Sequence, residues 1–261
     1  MRKSSNEQNA QALTSIKPVV FIVGADKGGV GKTTVSRALL NFLQQHGVST
    51  RAFDTETPKG TLIRFYPEIT TVVDIASVED QMKILDSLEL GAAVTLIDIR
   101  AGQLRNTLKV LDDIGFLEAS RNGEVALCLV HVLGSSVASL DEIQEIAPFV
   151  RDCEYVLARN FINDSGFFEW DTETYNKYFD PSVQALEIVI PKLNELAYER
   201  VDLANAPFIH FIENSNAAGA SMTYSYVLRG YVRKWVTDLD LEFEKVGLLR
   251  VLSRLSSIRQ N

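Results

Sequence analysis

Val19-Val20-Phe21-Ile22-Val23-Gly24-Ala25-Asp26-Lys27-Gly28-Gly29-Val30-Gly31-Lys32-Thr33-Thr34 decides how the chain is read. Its apolar, β-branched opening suits a buried strand, and the segment after Gly31 carries a helical period as far as residue 45. Between them Gly28, Gly29 and Gly31 permit backbone angles and close approaches that a Cβ would forbid, so successive N–H groups can converge on an anion. The helix that starts at Lys32 adds its positive N-terminal end. Strand, glycine loop and Gly-Lys-Thr at a helix start together make a phosphate-binding loop. Residues 28–34 are the predicted nucleotide contacts: Lys32 reaches the β/γ oxygens as a point charge, the Thr33 hydroxyl ligates Mg2+, and Val30 and Thr34 complete the cradle.

Outward from this loop the chain alternates short apolar runs with longer amphipathic ones, the pattern of βαβ units around a parallel sheet. Buried strands are expected at residues 19–23, 50–53, 93–97, 125–131, 155–158 and 187–190. Helices are expected at 32–45, 78–88, 104–114, 139–150 and 192–204. Right-handed crossovers place those helices on both faces of a mostly parallel, twisted sheet, which makes the fold class α/β. Residues 1–17 are polar and aperiodic and read as a flexible arm, with one domain over 18–261 that includes extra C-terminal helices from about residue 217.

The 261-residue chain is 46% hydrophobic and 23% charged, with mean hydropathy near zero, as befits a packed globular domain. A net charge of −8 argues against a globally basic nucleic-acid binder while leaving room for a local basic patch. Cys128 and Cys153 form no CxxC pair, so both read as reduced core residues. With neither a membrane-length apolar run nor a secretion signal, a cytoplasmic location is expected.

Asp26 stands where the ordinary phosphate loop has Gly, and a second lysine, Lys27, follows it. Lys27-Gly28-Gly29-Val30-Gly31-Lys32-Thr33-Thr34 resembles the deviant Walker A motif of the ParA/MinD superfamily of P-loop ATPases. The resemblance covers roughly residues 19–208. It implies a P-loop fold of the SIMIBI type, ATP and Mg2+ as cofactors, and an ATP-dependent homodimer in which Lys27 contacts phosphate across a nucleotide sandwich. Carboxylates so close to phosphates repel them, so the Asp26 side chain should point away.

Hydrolysis needs a group that orients water and an acid for the metal shell. Arg51-Ala52-Phe53-Asp54-Thr55-Glu56 is similar to the family's second-strand motif, with Glu56 where the family usually has Asp. Either Asp54 or Glu56 could position the water, and motif alignment favours Glu56. Val94-Thr95-Leu96-Ile97-Asp98 reads as Walker B, with Asp98 holding a magnesium-bound water; Arg100 replaces the family's proline and Gly102 frees the following loop. Asn160, after a strand, and Pro191 in Ile188-Val189-Ile190-Pro191 match the family's base-contacting positions, with a turn-forming Asn and a strand-ending Pro as the second reading.

The C-terminal third matches nothing specific. Arg229, Arg233 and Lys234 lie among tyrosines and read first as a solvated helix face and second as a nonspecific DNA contact. The stripe Leu248, Val251, Leu252, Leu255 and Ile258 reads first as a packed helix and second as a helix lying on an anionic membrane. Relatives of this kind would be nucleoid-associated or peripheral on a membrane, and would answer to an activating protein partner. The function expected is ATP-driven positioning or partition of a cargo. The alternative is an accessory ATPase of conjugation or plasmid mobilisation, similar to the TraL/StbB group.

Overall fold

The computed structural model describes residues 17–89, 91–151, 153–162, 176–178, 184–216 and 218–249. Residues 1–16 of the arm assigned to 1–17, and the terminal stripe beyond residue 249, lie outside these. The strands are β1 (Val19–Gly24), β2 (Thr50–Asp54), β3 (Thr70–Val72), β4 (Val94–Asp98), β5 (Ala126–Leu133), β6 (Glu154–Asn160) and β7 (Ala185–Ile190). They form one parallel sheet in the order β3-β2-β4-β1-β5-β6-β7. The helices are α1 (Lys32–Gln45), α2 (Val78–Asp86), α3 (Leu104–Asp113), α4 (Phe116–Arg121), α5 (Val137–Val150), α6 (Glu195–Ala204), α7 (Phe208–Ile212) and α8 (Tyr226–Lys245).

β1 shows why the sheet sits between helical layers. Its period of two sends Val19, Phe21 and Val23 into a core shared with α1, α6, α7 and α8, and sends Val20 and Ile22 into a second core with α3, α4 and α5. Both faces are covered, so the central strands are apolar along most of their length, as buried parallel sheets are. On the edge strand β7, the Val189 amide donates to Glu242 of α8 at 2.7 Å, so a side chain satisfies a group that the edge leaves unpaired.

Several expectations are corrected. Among the described residues the sheet has seven strands and not six, because β3 is too short to carry a period. α4 and α7, of six and five residues, were missed for the same reason. The helix expected from 192 begins at Glu195, where the Asn194 side chain accepts the Ala197 amide and caps the first turn. The helix expected to run to 88 ends at Asp86 and tightens into a 3-10 turn. Cys128 is buried as expected, whereas Cys153 is half-buried.

Candidate functional site

The sheet order reverses at β1, which lies between β4 and β5, and in such folds ligands bind outside the C-terminal strand ends at that point. The phosphate loop leaves β1 there. Gly29 and Gly31 both take left-handed φ, +74° and +87°, and a Cβ built on Gly31 would stand 2.3 Å from the Asn160 amide nitrogen. Gly31 is the N-cap of α1 with no side-chain cap, whereas Ser77 and Asn194 cap α2 and α6. The first turn of α1 carries no acid and begins with Lys32, an arrangement that leaves its amides for an external anion.

A cavity of about 340 Å3 opens beside this loop, lined by Lys32, Thr33, Thr34, Asp54, Glu56, Asp98 and Arg100 among others. Gly29, Gly31, Lys32, Thr33 and Thr34 of the predicted phosphate loop therefore share one cavity with Asp54, Glu56 and Asp98, whereas Lys27, Gly28 and Val30 do not line it. Lys32 is buried, and its ammonium donates to the Lys27 carbonyl at 3.0 Å. Burial lowers its pKa, partly opposed by Asp98, Glu142, Glu56 and Asp26. An incoming phosphate would offset that desolvation.

Asp98 accepts the Thr33 hydroxyl at Oδ2 and the Ser36 hydroxyl at Oδ1, each at 2.8 Å. Burial pushes its pKa up to about 7 against those hydrogen bonds and Lys32, with Asp54 adding to the rise. A buried carboxyl held beside a threonine hydroxyl at the cavity wall is an oxygen donor set of the kind Mg2+ takes with a nucleotide phosphate. The residues present thus fit both a phosphate chain and a hard divalent cation.

The two second-strand acids separate cleanly. Asp54 is buried and engaged by its own loop: Oδ1 accepts the Glu56 amide at 2.9 Å, and Oδ2 accepts those of Thr61 and Leu62 at 2.7 Å each. Glu56 is exposed, and its Oε2 accepts the Thr61 hydroxyl. Thr55 joins this loop to the next one, donating from its amide to the Asp98 carbonyl at 3.0 Å while its hydroxyl accepts the Arg100 amide at 2.8 Å. Arg100 itself is exposed at the cavity wall. Gly102, at φ +75°, donates to the Asp26 carbonyl at 2.8 Å.

Asp26 turns its carboxylate to the Leu104 amide at 2.7 Å, at the start of α3. Asn160 is buried and donates from its side-chain nitrogen to the Val30 carbonyl at 2.8 Å, which makes it a buttress of the phosphate loop. Pro191 follows Ile190, the register partner of Asn160, so the two predicted base contacts end adjacent strands; the Pro191 carbonyl accepts the Trp235 indole at 2.6 Å. Arg229 and Arg233 share α8, where Lys234 is paired with Asp238 at 2.8 Å.

Sequence reasoning missed Ser36, Tyr198, Ser136, His131 and Glu142. The Tyr198 hydroxyl lies 3.5 Å from Thr34 Oγ1 at the cavity wall. Ser136 accepts the Lys27 ammonium, and Glu142 accepts the amides of Asp26 and Lys27. One signal was available: Glu142 falls at i+3 from Ser139 and i−4 from Ile146, within the inward stripe of α5, where a charge needs a partner.

The fold and the loop define the class, an α/β domain of P-loop NTPase type that resembles the ParA/MinD superfamily of deviant Walker A ATPases. No protein-family profile matches the sequence, and no curated protein matches it. Among solved structures it is similar to a nucleotide-binding protein from Archaeoglobus fulgidus in complex with ADP, with 16% identity over 71% of this chain and 87% of that one and a TM-score of 0.47. It is also similar to the MinD cell division protein of Aquifex aeolicus, with 13% identity over 84% and 96% and a TM-score of 0.43. A MinC:MinD complex from the same organism aligns with 14% identity over 84% and 95% and a TM-score of 0.42. Among the described residues no helix is long and apolar enough to cross a membrane.

Proposed function

We propose that the chain is an ATPase that binds Mg-ATP in the loop of residues 27–34, closes as a nucleotide-sandwich homodimer, and hydrolyses ATP to position or partition a cargo. The observation that carries the reading is the convergence of Lys32, Thr33, Asp98 and Glu56 on one cavity at the strand ends. In it the amides of residues 28–34 and the Lys32 ammonium bind and orient the phosphates. Thr33 and Asp98 would hold Mg2+, which supplies charge neutralisation on the phosphate oxygens.

Glu56 orients water in this reading, because Asp54 is engaged by the main-chain amides of its own loop. Arg100, with its main chain fixed by Thr55, brings a cation to the cavity wall. Lys27 reaches phosphate from the partner protomer. An activating protein, with nonspecific DNA or an anionic membrane as the surface, completes the cycle.

The test is ATP turnover together with light scattering, on wild type and Glu56→Ala, each with DNA and with anionic liposomes. The reading expects Mg-ATP to dimerise both chains, turnover to fall in Glu56→Ala, and one of the two surfaces to stimulate the wild type. Dimerisation without stimulation by either surface, together with binding to a relaxase or a secretion protein, would favour the accessory role in conjugation. A chain that stays monomeric and inert with Mg-ATP contradicts both.

A further inference from the structure

Helix α5 reaches back to the phosphate loop with two side chains. Glu142, 7% exposed, accepts the Asp26 amide at Oε2 (2.9 Å) and the Lys27 amide at Oε1 (2.7 Å). Ser136, directly before the helix, accepts the Lys27 ammonium. The Lys27 carbonyl meanwhile accepts Lys32 Nζ at 3.0 Å. Lys27 is thus held at its amide, its carbonyl and its side chain, and two of those holds come from one helix more than a hundred residues away in sequence.

Behind Glu142 stands a buried polar chain. His131 of β5 is fully buried, with Nε2 3.2 Å from Glu142 Oε2 and Nδ1 2.9 Å from the Tyr155 hydroxyl. Burial raises the carboxyl pKa of Glu142, but the contacts with His131 and the two loop amides outweigh it and the net shift is downward.

A carboxylate near a phosphate site repels the ligand, and an apolar residue would pack α5 on the sheet without that cost. What the carboxylate alone can do is accept two successive main-chain amides at once. Those two amides point at Glu142, away from the cradle of residues 28–34. The next peptide turns the Lys27 carbonyl to Lys32, and the Lys27 side chain ends on the Ser136 hydroxyl.

We propose that Glu142 is the positioning residue for Lys27: its carboxylate, backed by His131, fixes the main chain from which the Lys27 ammonium leaves Ser136 for phosphate. The inference rests on the reading of this loop as an ATP site in which Lys27 acts on phosphate. Glu142 fixes the pivot, Ser136 holds the ammonium, and the side chain moves between Ser136 and the nucleotide while the backbone stays in place.

The test uses the full chain with Glu142→Gln, Lys27→Ala and the double variant. The first readout is the rate at which acetic anhydride labels each lysine in the nucleotide-free protein, followed by mass spectrometry. Lys27 should label several-fold faster in Glu142→Gln, with the α8 lysines Lys234 and Lys245 unchanged. The second readout is ATP turnover against Mg-ATP affinity. Losing a charge-assisted hydrogen bond of this kind should lower kcat about tenfold or more in the Lys27 background, with Kd changed less than about threefold and no further loss in the Lys27→Ala background.

A purely structural role predicts equal losses in both backgrounds and uniform labelling, and that result overturns the proposal. Faster Lys27 labelling in a chain whose wild type turns over no ATP sinks the functional reading and leaves the positioning of Lys27 standing. If Glu142→Gln fails to fold, Glu142→Asp replaces it, since a chain shorter by one methylene reaches one amide and not both. An unchanged Lys27 labelling rate there also overturns the proposal.

Discussion

Replacing Gly31 by alanine tests how tightly the phosphate loop is built. At φ +87° an L-residue costs ~1–2 kcal/mol in backbone energy. The new Cβ would also stand 2.3 Å from Asn160 Nδ2, closer than non-bonded atoms allow. Asn160 is 4% exposed, and its nitrogen is committed to the Val30 carbonyl at 2.8 Å. Displacing it leaves buried groups unpaired, at ~1–3 kcal/mol. The sum is a destabilisation of ~2–5 kcal/mol. Gly29 is the internal control: it has φ +74° but nothing within 4 Å of a built Cβ, so Gly29→Ala should cost only ~1–2 kcal/mol. Urea denaturation followed by circular dichroism gives both values, and a double-mutant cycle isolates the contact. In an Asn160→Ala background the clash is gone, so Gly31→Ala should fall to the Gly29→Ala value, with a coupling of ~1–3 kcal/mol. Equal costs at the two glycines with no coupling to Asn160 would refute the buttressed loop.

Three further outcomes follow from polar groups wholly or partly withdrawn from water. Asp54→Asn should destabilise the chain by ~2–4 kcal/mol in chemical denaturation, because the carboxylate accepts the amides of Glu56, Thr61 and Leu62; a change under ~0.5 kcal/mol would mean that it does not organise the loop. Arg37→Met should be neutral or stabilising by up to ~4 kcal/mol. The guanidinium is 2% exposed between the rings of Phe65 and Phe208, its Nε and one Nη have no hydrogen-bond partner among the described residues, and Asp202 is 4.0 Å away; a loss of ~3–5 kcal/mol would show the charge to be needed. Asp240 has a pKa raised to about 6 by burial and by Glu244, with His46 opposing. An acid with a raised folded pKa loses stability as pH rises from its usual 3.8 to about 6, so Asp240→Asn should flatten that fall in thermal melts, and an unchanged slope would assign it elsewhere.

What could be read from the sequence followed from local patterns of sufficient length. Residues 32–45 were bounded correctly at both ends because a glycine precedes the helix and its apolar period is unbroken. The loop of residues 27–34 was legible because its chemistry is contained in consecutive residues. Asp98 and Glu56 were legible as acids near strand ends, but the burial of Asp54 under its own loop was not, since it depends on a chain that folds back from Gly60 to Leu62. Glu142 and Ser136 meet Lys27 across more than a hundred residues, a pairing set by α5 packing on the sheet and by no local motif. The adenine role read for Asn160 rested on position alone, and tertiary packing gives its side-chain nitrogen to the Val30 carbonyl.

The account stands on the main-chain cradle and the buried ammonium of Lys32, and titration calorimetry with Mg-ATP measures that directly. The wild type should bind with measurable heat, and Lys32→Ala should lose at least about tenfold in affinity, the scale of a charge-assisted contact with phosphate. No heat from the wild type, or the same affinity after Lys32→Ala, would contradict it.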